Sequence, residues 1–241
     1  TLYYITIGSP FFKEPLSIDV LNTIQLRYRV PYVMADILPP LPAEYARGLE
    51  LIDAAHAQDS RTAEGPDGTA IPYELKYAQK MTKWLARLCP EASPVLQLAC
   101  RAQHFRRWEI PRSSYPMTRP GYLTWRAKLK AQAASQVAEL LASPEIQPPI
   151  PEEARSRVAA LIRKENLKAD EETQVLEDAA CLVFLDDQFD DFESKSDLDE
   201  AKMIGILQKT WGKMGEKGRQ LALEMNHSDR AKELIGKALA G

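Results

Sequence analysis

Residues 72–108, PYELKYAQKMTKWLARLCPEASPVLQLACRAQHFRRW, decide the fold class. Glu74, Ala78, Met81 and Leu85 recur at the spacing of one helix face. Pro72 precedes them where a proline does least harm, because an N–H in the first helical turn has no intrahelical acceptor. Ser93 and Pro94 supply a capping hydroxyl and a second opening proline, and Leu96, Cys100 and His104 form a stripe behind them. The spacing therefore predicts helices over 72–88 and 94–108. Downstream, the same reading gives helices over 119–143, 152–165, 170–189, 195–213 and 228–240, with a proline-rich break at 144–151. Upstream it gives a helix over 43–57, and Gly65, Pro66, Asp67 and Gly68 mark a loop. The expectation is an all-α domain over 43–241, of about seven to eight helices on periodicity. Residues 1–42 read as an N-terminal extension with short strands at 2–7 and 28–34, closed by the stiff junction Pro39, Pro40 and Pro42.

Composition narrows the function classes. A chain of 241 residues with a net charge of -3 is long enough for one packed domain and is too acidic for general nucleic-acid affinity. Cys89, Cys100 and Cys181 sit in apolar contexts with no CxxC pair, so a reduced, cytoplasmic protein without a thiolate zinc site is expected. No apolar run approaches the roughly 20 residues that cross a bilayer. The opening TLYYITIGSPFF lacks the basic n-region and the cleavage site of a secretory signal. The acidic run 186–193 lacks the spacing and glycine of an EF-hand and reads as a solvated edge.

Against that acidic background stands residues 101–130, RAQHFRRWEIPRSSYPMTRPGYLTWRAKLK, with eight Lys or Arg and one carboxylate, Glu109. A local positive field in an acidic chain points to an anionic ligand. Arginine presents a fork that suits phosphate or carboxylate, and aromatic rings carry guanidinium stacking. The candidate substrate-binding residues are Arg106, Arg107, Arg112, Tyr115, Arg119, Trp125 and Arg126, with Lys164 and Lys168 ahead of the 170–189 helix. The competing reading is a solvated helix face in which the arginines pack over Trp and Tyr.

Three polar residues fall on apolar stripes: Glu74, His104 and Asp178, the last among Val175, Leu182, Leu185 and Phe189. Such a group loses hydration and needs a partner. A carboxylate, an imidazole and a second carboxylate suit a divalent ion such as Mn, Fe, Zn or Mg; alternatively each pairs with a structural cation such as Arg101 or Arg107. His56, three residues before Asp59, is a further helix-face candidate, and His227 reads as loop surface.

The blocks RAQHFRRWEIPRSSYPMTRPGYLTWR and LIRKENLKADEETQVLEDAACLVFL, with IDAAHAQD and PYELKYAQKMTKWL ahead of them, resemble an uncharacterised helical family, domain-of-unknown-function family 4202. That family in turn looks distantly like the HD superfamily of metal-dependent phosphohydrolases. The HD likeness implies an HD-like helical fold, with Glu74, His104 and Asp178 in the ligand places. The pattern departs from it: Glu74 stands for a His, and Gln103-His104 for a His-Asp pair. The expected activity is metal-dependent hydrolysis of a small phosphorylated or anionic substrate. In that reading His104, Glu177 and Arg107 are catalytic, with Glu177 as proton acceptor and the arginines neutralising charge. The alternatives are a non-catalytic nucleotide- or RNA-binding protein and an HD-like iron oxygenase.

Overall fold

Nine α-helices and one hairpin are found among the described residues, 37–65, 67–189 and 199–240 of a computed structural model. The fold is all-α. Helix α1 spans Ala43–His56, the hairpin strands β1 and β2 span Thr62–Glu64 and Ala70–Pro72, and α2 spans Tyr73–Leu88. Next come α3 (Pro94–Arg101), α4 (Arg119–Leu140), α5 (Glu152–Arg163) and α6 (Glu171–Val183), the last prolonged by a π-type turn, Phe184–Gln188. Helices α7 (Glu200–Lys213), α8 (Glu216–Leu223) and α9 (Asp229–Ala240) complete the chain. The strands expected at 2–7 and 28–34 lie outside the described residues.

The short helix α3 is the hub of the core, with α1, α2, α5 and α6 all packed on it. Leu96, Leu98, Ala99 and Cys100 are buried around its whole circumference, which is how a helix enclosed by others must be built. Ser93 Oγ accepts the Leu96 N–H at 3.1 Å, the cap that the sequence predicts. At the other end Arg101 donates Nε and Nη2 to the two oxygens of Asp53, at 2.6 and 2.7 Å, and Nη1 to Thr82 Oγ1 at 3.1 Å. This fork ties α1 and α2 to α3, so Arg101 serves the fold.

Four features differ from the periodicity. Helix α3 stops at Arg101 instead of 108, because His104 (φ 63°) and Arg106 (φ 47°) take the left-handed conformation. That conformation costs a non-glycine residue about 1 kcal/mol. Here it turns Phe105 into the core, where it is 2% exposed. Helix α5 stops at Arg163 because Lys164 (φ 59°) is left-handed, and the Glu165 N–H reaches back to the Ala160 carbonyl at 3.2 Å. The hairpin, in register Thr62↔Pro72, Ala63↔Ile71 and Glu64↔Ala70, has strands too short to show a period. Gly68 (φ 77°) makes its turn. Helix α8 is separate from α7, broken at Met214 and Gly215.

Candidate anion site

The turn after α3 carries His104 to the floor of a cleft walled by α4 and the end of α5. Its lining includes His104, Arg107, Arg126, Lys130 and Lys164 beside apolar Phe105, Leu129, Ala133, Ile162 and Ala180, and no carboxylate among the described residues. Counting the space that runs out to solvent, the cleft measures about 480 Å³. Each cation reaches it for a local reason. Arg126 and Lys130 stand four residues apart on one face of α4. Lys164 is aimed by its left-handed backbone at the end of α5, and Arg107 follows the two left-handed residues of the 102–107 turn. Two of the four non-glycine positions with positive φ among the described residues, His104 and Lys164, line this one cleft. Strained backbone gathers where a function requires it.

The His104 ring is clamped from three sides. Tyr77 of α2 stacks on it, with centroids 4.1 Å apart and planes 14° from parallel. Arg107 Nη1 lies against both ring nitrogens, 2.8 Å from Nε2 and 3.4 Å from Nδ1, and Glu74 Oε2 stands 3.9 Å from Nδ1. Burial, and then the charges of Arg107, Arg126 and Lys164, hold the imidazole well below its ordinary pKa, so the ring is neutral. Glu74 is 0% exposed; burial lifts its carboxyl to about 7 against the opposing pull of Arg61 and Arg107. Its Oε1 accepts Arg61 Nη2 at 2.7 Å, and the same guanidinium holds Asp59 through Nη2 at 2.8 Å and Nε at 3.0 Å. Asp59 Oδ2 also accepts the Glu74 N–H at 3.2 Å, at the opening turn of α2.

Burial likewise depresses Arg107 and Lys130, with Arg126 adding to both and Lys164 to Lys130. These are crowded cations short of anions. Lys164 Nζ has one close counter-ion, Glu177 Oε2 at 2.5 Å, which Lys213 also approaches at 3.7 Å. Burial alone would raise the Glu177 carboxyl, but Lys164, Lys213 and Arg126 outweigh it and hold it below its ordinary value.

The other sequence candidates fall elsewhere. Arg106 leans over the Phe105 ring and toward Glu109. Arg112 donates to the Tyr115 and Pro116 carbonyls and lies over Trp125 and Tyr122, so it pins its own loop. Tyr115 lends that carbonyl, Arg119 and Lys168 are exposed, and Trp125 is buried beneath Arg107 with Nε1 donating to the Ile110 carbonyl at 2.9 Å. His56 is buried on the Arg101 carbonyl, and His227 bonds the Ala222 carbonyl at the end of α8. Lys130 and Tyr77 were not among the sequence candidates. The four-residue step from Arg126 marks Lys130, whereas nothing local marks Tyr77 as the partner of His104.

Glu74 and His104 converge; Asp178 does not join them. Its Oδ1 accepts the Gly215 N–H at 2.9 Å and Gln174 Nε2 at 2.8 Å, which turns it toward α8. Among the described residues no three His, Cys, Asp or Glu side chains stand together in a way that could hold a metal ion. At His104 the Arg107 guanidinium lies against both ring nitrogens, 2.8 Å from Nε2 and 3.4 Å from Nδ1, and cations surround the ring. This donor set does not fit a divalent ion, because the groups nearest the imidazole repel one.

Among the described residues no helix is long and apolar enough to cross a membrane. Comparison with curated proteins finds no match, and comparison with solved structures finds none. A family model described as a domain of unknown function, DUF4202, matches residues 46–235, a span that holds α2 to α8 entire and every group of the cleft. The chain belongs to the DUF4202 family.

Proposed function

We propose that the cleft binds a small phosphorylated or otherwise anionic substrate and that the protein hydrolyses it. The observation that carries this reading is the lining itself: Arg107, Arg126, Lys130 and Lys164 converge around a neutral histidine with no carboxylate among them. Arg107 and Lys130, destabilised by burial and by their like-charged neighbours, gain most from an incoming anion.

Hydrolysis needs a proton acceptor beside the attacking water. In this reading His104 takes that proton at Nε2 as the water oxygen bonds the electrophilic centre, and the leaving group departs with the proton returned from the imidazolium. The four cations stabilise the charge that develops on the substrate oxygens. No step is routed through a metal ion.

A second reading, binding without turnover, is favoured by one observation: the Arg107 guanidinium lies against both nitrogens of the His104 ring, which a base must have uncovered. One experiment separates them. Inorganic phosphate and a panel of phosphate monoesters are titrated into the protein by calorimetry, and ester cleavage is followed in the same samples. Cleavage lost in His104→Ala, with phosphate binding kept, supports hydrolysis. Binding with no cleavage of any ester leaves the binding reading, and no binding of any anion removes both.

A further inference from the structure

The cations of the cleft fall into two pairs. Arg107 belongs with Arg126, which after burial is the charge that most depresses it. Lys130 belongs with Lys164, which after burial depresses it more than Arg126 does. Helix α4 separates the pairs, because Arg126 and Lys130 stand four residues apart on one face, a rise of about 6 Å. The arginine pair lies at His104. Arg107 Nη1 is against both ring nitrogens, and after burial Arg107 and Arg126 weigh on the ring more than Lys164 does. The lysine pair lies at Glu177, whose Oε2 is 2.5 Å from Lys164 Nζ. The chemistry of the pairs differs as well: a guanidinium fork meets two oxygens of a phosphoryl group, whereas an ammonium is a point charge open to any oxyanion. Charge counting points the same way. Glu177 serves Lys164, whereas Arg107, Arg126 and Lys130 make no ion pair among the described residues. A phosphate monoester brings a charge of about −1.5 to −2 at neutral pH, which falls short of three cations.

We propose that the molecule this cleft takes is a phosphorylated carboxylic acid, with its phosphoryl group on Arg107 and Arg126 beside His104 and its carboxylate on Lys130 and Lys164, one helical turn away. This inference rests on the reading of the cleft as an anion site and names the ligand class. The phosphoryl group, the end open to hydrolysis, then sits next to the imidazole. The short carbon chain between the two charged ends has Leu129 and Ala133 of α4 to lie against. The carboxylate takes the place of Glu177 on Lys164, and Glu177 keeps Lys213, 3.7 Å from its Oε1. A diphosphate suits the spacing less well, since its two phosphorus atoms share one oxygen and do not span a helical turn.

The test is a calorimetric titration series on the whole chain with phosphonates, which have carbon in place of the ester oxygen and resist hydrolysis, so that binding is read apart from turnover. Propylphosphonate presents the phosphoryl end alone. Phosphonoacetate, phosphonopropionate and phosphonobutyrate add a carboxylate at increasing distance, and inorganic phosphate and diphosphate complete the series. Affinity is expected to rise with chain length, and phosphonobutyrate to bind at least about tenfold more tightly than propylphosphonate, the weight of one charge-assisted hydrogen bond. Diphosphate should bind less tightly than phosphonobutyrate. Arg126→Gln should weaken propylphosphonate and phosphonobutyrate alike, whereas Lys130→Gln should weaken phosphonobutyrate more and narrow the ratio between them. Propylphosphonate that binds as tightly as the two-headed ligands, or diphosphate that binds most tightly, overturns the proposed ligand class and leaves the anion site standing. So does a ratio that Lys130→Gln leaves unchanged. Absence of binding by every compound, inorganic phosphate included, overturns both. Should Lys130→Gln not fold, the wild-type series decides alone.

Discussion

Asp178 and Gly218 share one small volume: a Cβ on Gly218 would stand 2.7 Å from the Asp178 Cγ. The Asp178 carboxylate accepts the N–H of Gly215, the residue that caps α8, so one helix supplies the anionic cap of another. Its closeness to a glycine is what makes this possible, because any side chain at 218 would push α8 off the carboxylate. Asp178 is thereby a structural residue, and its place on the apolar stripe of α6 follows from that contact.

Two substitutions test this. Asp178→Ala is expected to lower stability by about 1–3 kcal/mol, the cost of leaving the Gly215 N–H unpaired. Gly218→Ala is expected to be destabilising as well, since the new Cβ would stand 2.7 Å from Cγ and 2.8 Å from Oδ2 of Asp178 and so displace the carboxylate that caps α8. Urea denaturation reads both. Phosphate affinity, measured alongside, should stay at the wild-type level, and its loss in a folded Asp178→Ala would return Asp178 to the site.

Charge removal in the cleft should act on affinity. Arg126→Gln and Lys130→Gln each remove one cation from the lining and are expected to weaken phosphate binding on the order of tenfold, the weight of one charge-assisted hydrogen bond. Added salt should weaken wild-type binding and flatten the difference between variants, because exposed charge is screened within about 8 Å at physiological ionic strength. Arg119→Gln and Lys168→Gln serve as comparisons: both residues are exposed and outside the lining, and neither should change affinity. An equal loss in all four variants would mean a diffuse surface effect in place of a site.

Glu177 competes with the ligand for Lys164. Its carboxylate is 2.5 Å from Lys164 Nζ, with both side chains 10% exposed. Glu177→Gln is expected to act in opposite directions on two observables. Stability should fall by about 2–4 kcal/mol, since a largely buried ammonium loses its counter-ion. Phosphate affinity should rise, since the ligand no longer displaces a resident carboxylate. Paired melting curves and calorimetric titrations check this. A variant that loses affinity along with stability would make Glu177 an organiser of the lining, as would hold if Lys164 strayed without it.

The sequence displayed the helices well and the site only in part. Stripes such as Glu74, Ala78, Met81 and Leu85 mark a helix because burial acts on a face, and a face has a period. The apolar stripe that includes His104 misled for the same reason: Phe105 reaches the core through a left-handed turn, and periodicity cannot tell a turn that buries a side chain from one more helical turn. The cations of 101–130 were legible as charge. Their division into Arg112, which pins a loop, Arg101, which joins helices, and Arg107 and Arg126, which line the cleft, depends on contacts between segments distant in sequence. Asp178 was legible as a buried polar residue, but its partner lies 37 residues on, in a helix whose start the glycines concealed.

Stability should vary with pH in a way that isolates Glu74. Its folded carboxyl titrates near 7 against an ordinary value of 4.5, raised by burial, so between those values the folded chain holds a proton that the unfolded chain has released. Stability from this group is therefore lost as pH rises through the window, by up to about 3 kcal/mol at about 1.4 kcal/mol per pKa unit. His56 acts in the opposite sense. Burial lowers it from 6.5 to about 4, so the unfolded chain takes the proton first and stability is lost as pH falls through that range. His104, lowered as well, adds to the acid side. Glu74→Gln removes only the first effect. Relative to the wild type it should gain stability steadily from pH 5 to pH 8 in urea denaturation, while both proteins lose stability alike on the acid side, where the histidines charge. Wild-type and variant profiles that run parallel from pH 5 to 8 would mean that Glu74 is already ionised in the folded chain, its burial outweighed by Arg61 and Arg107.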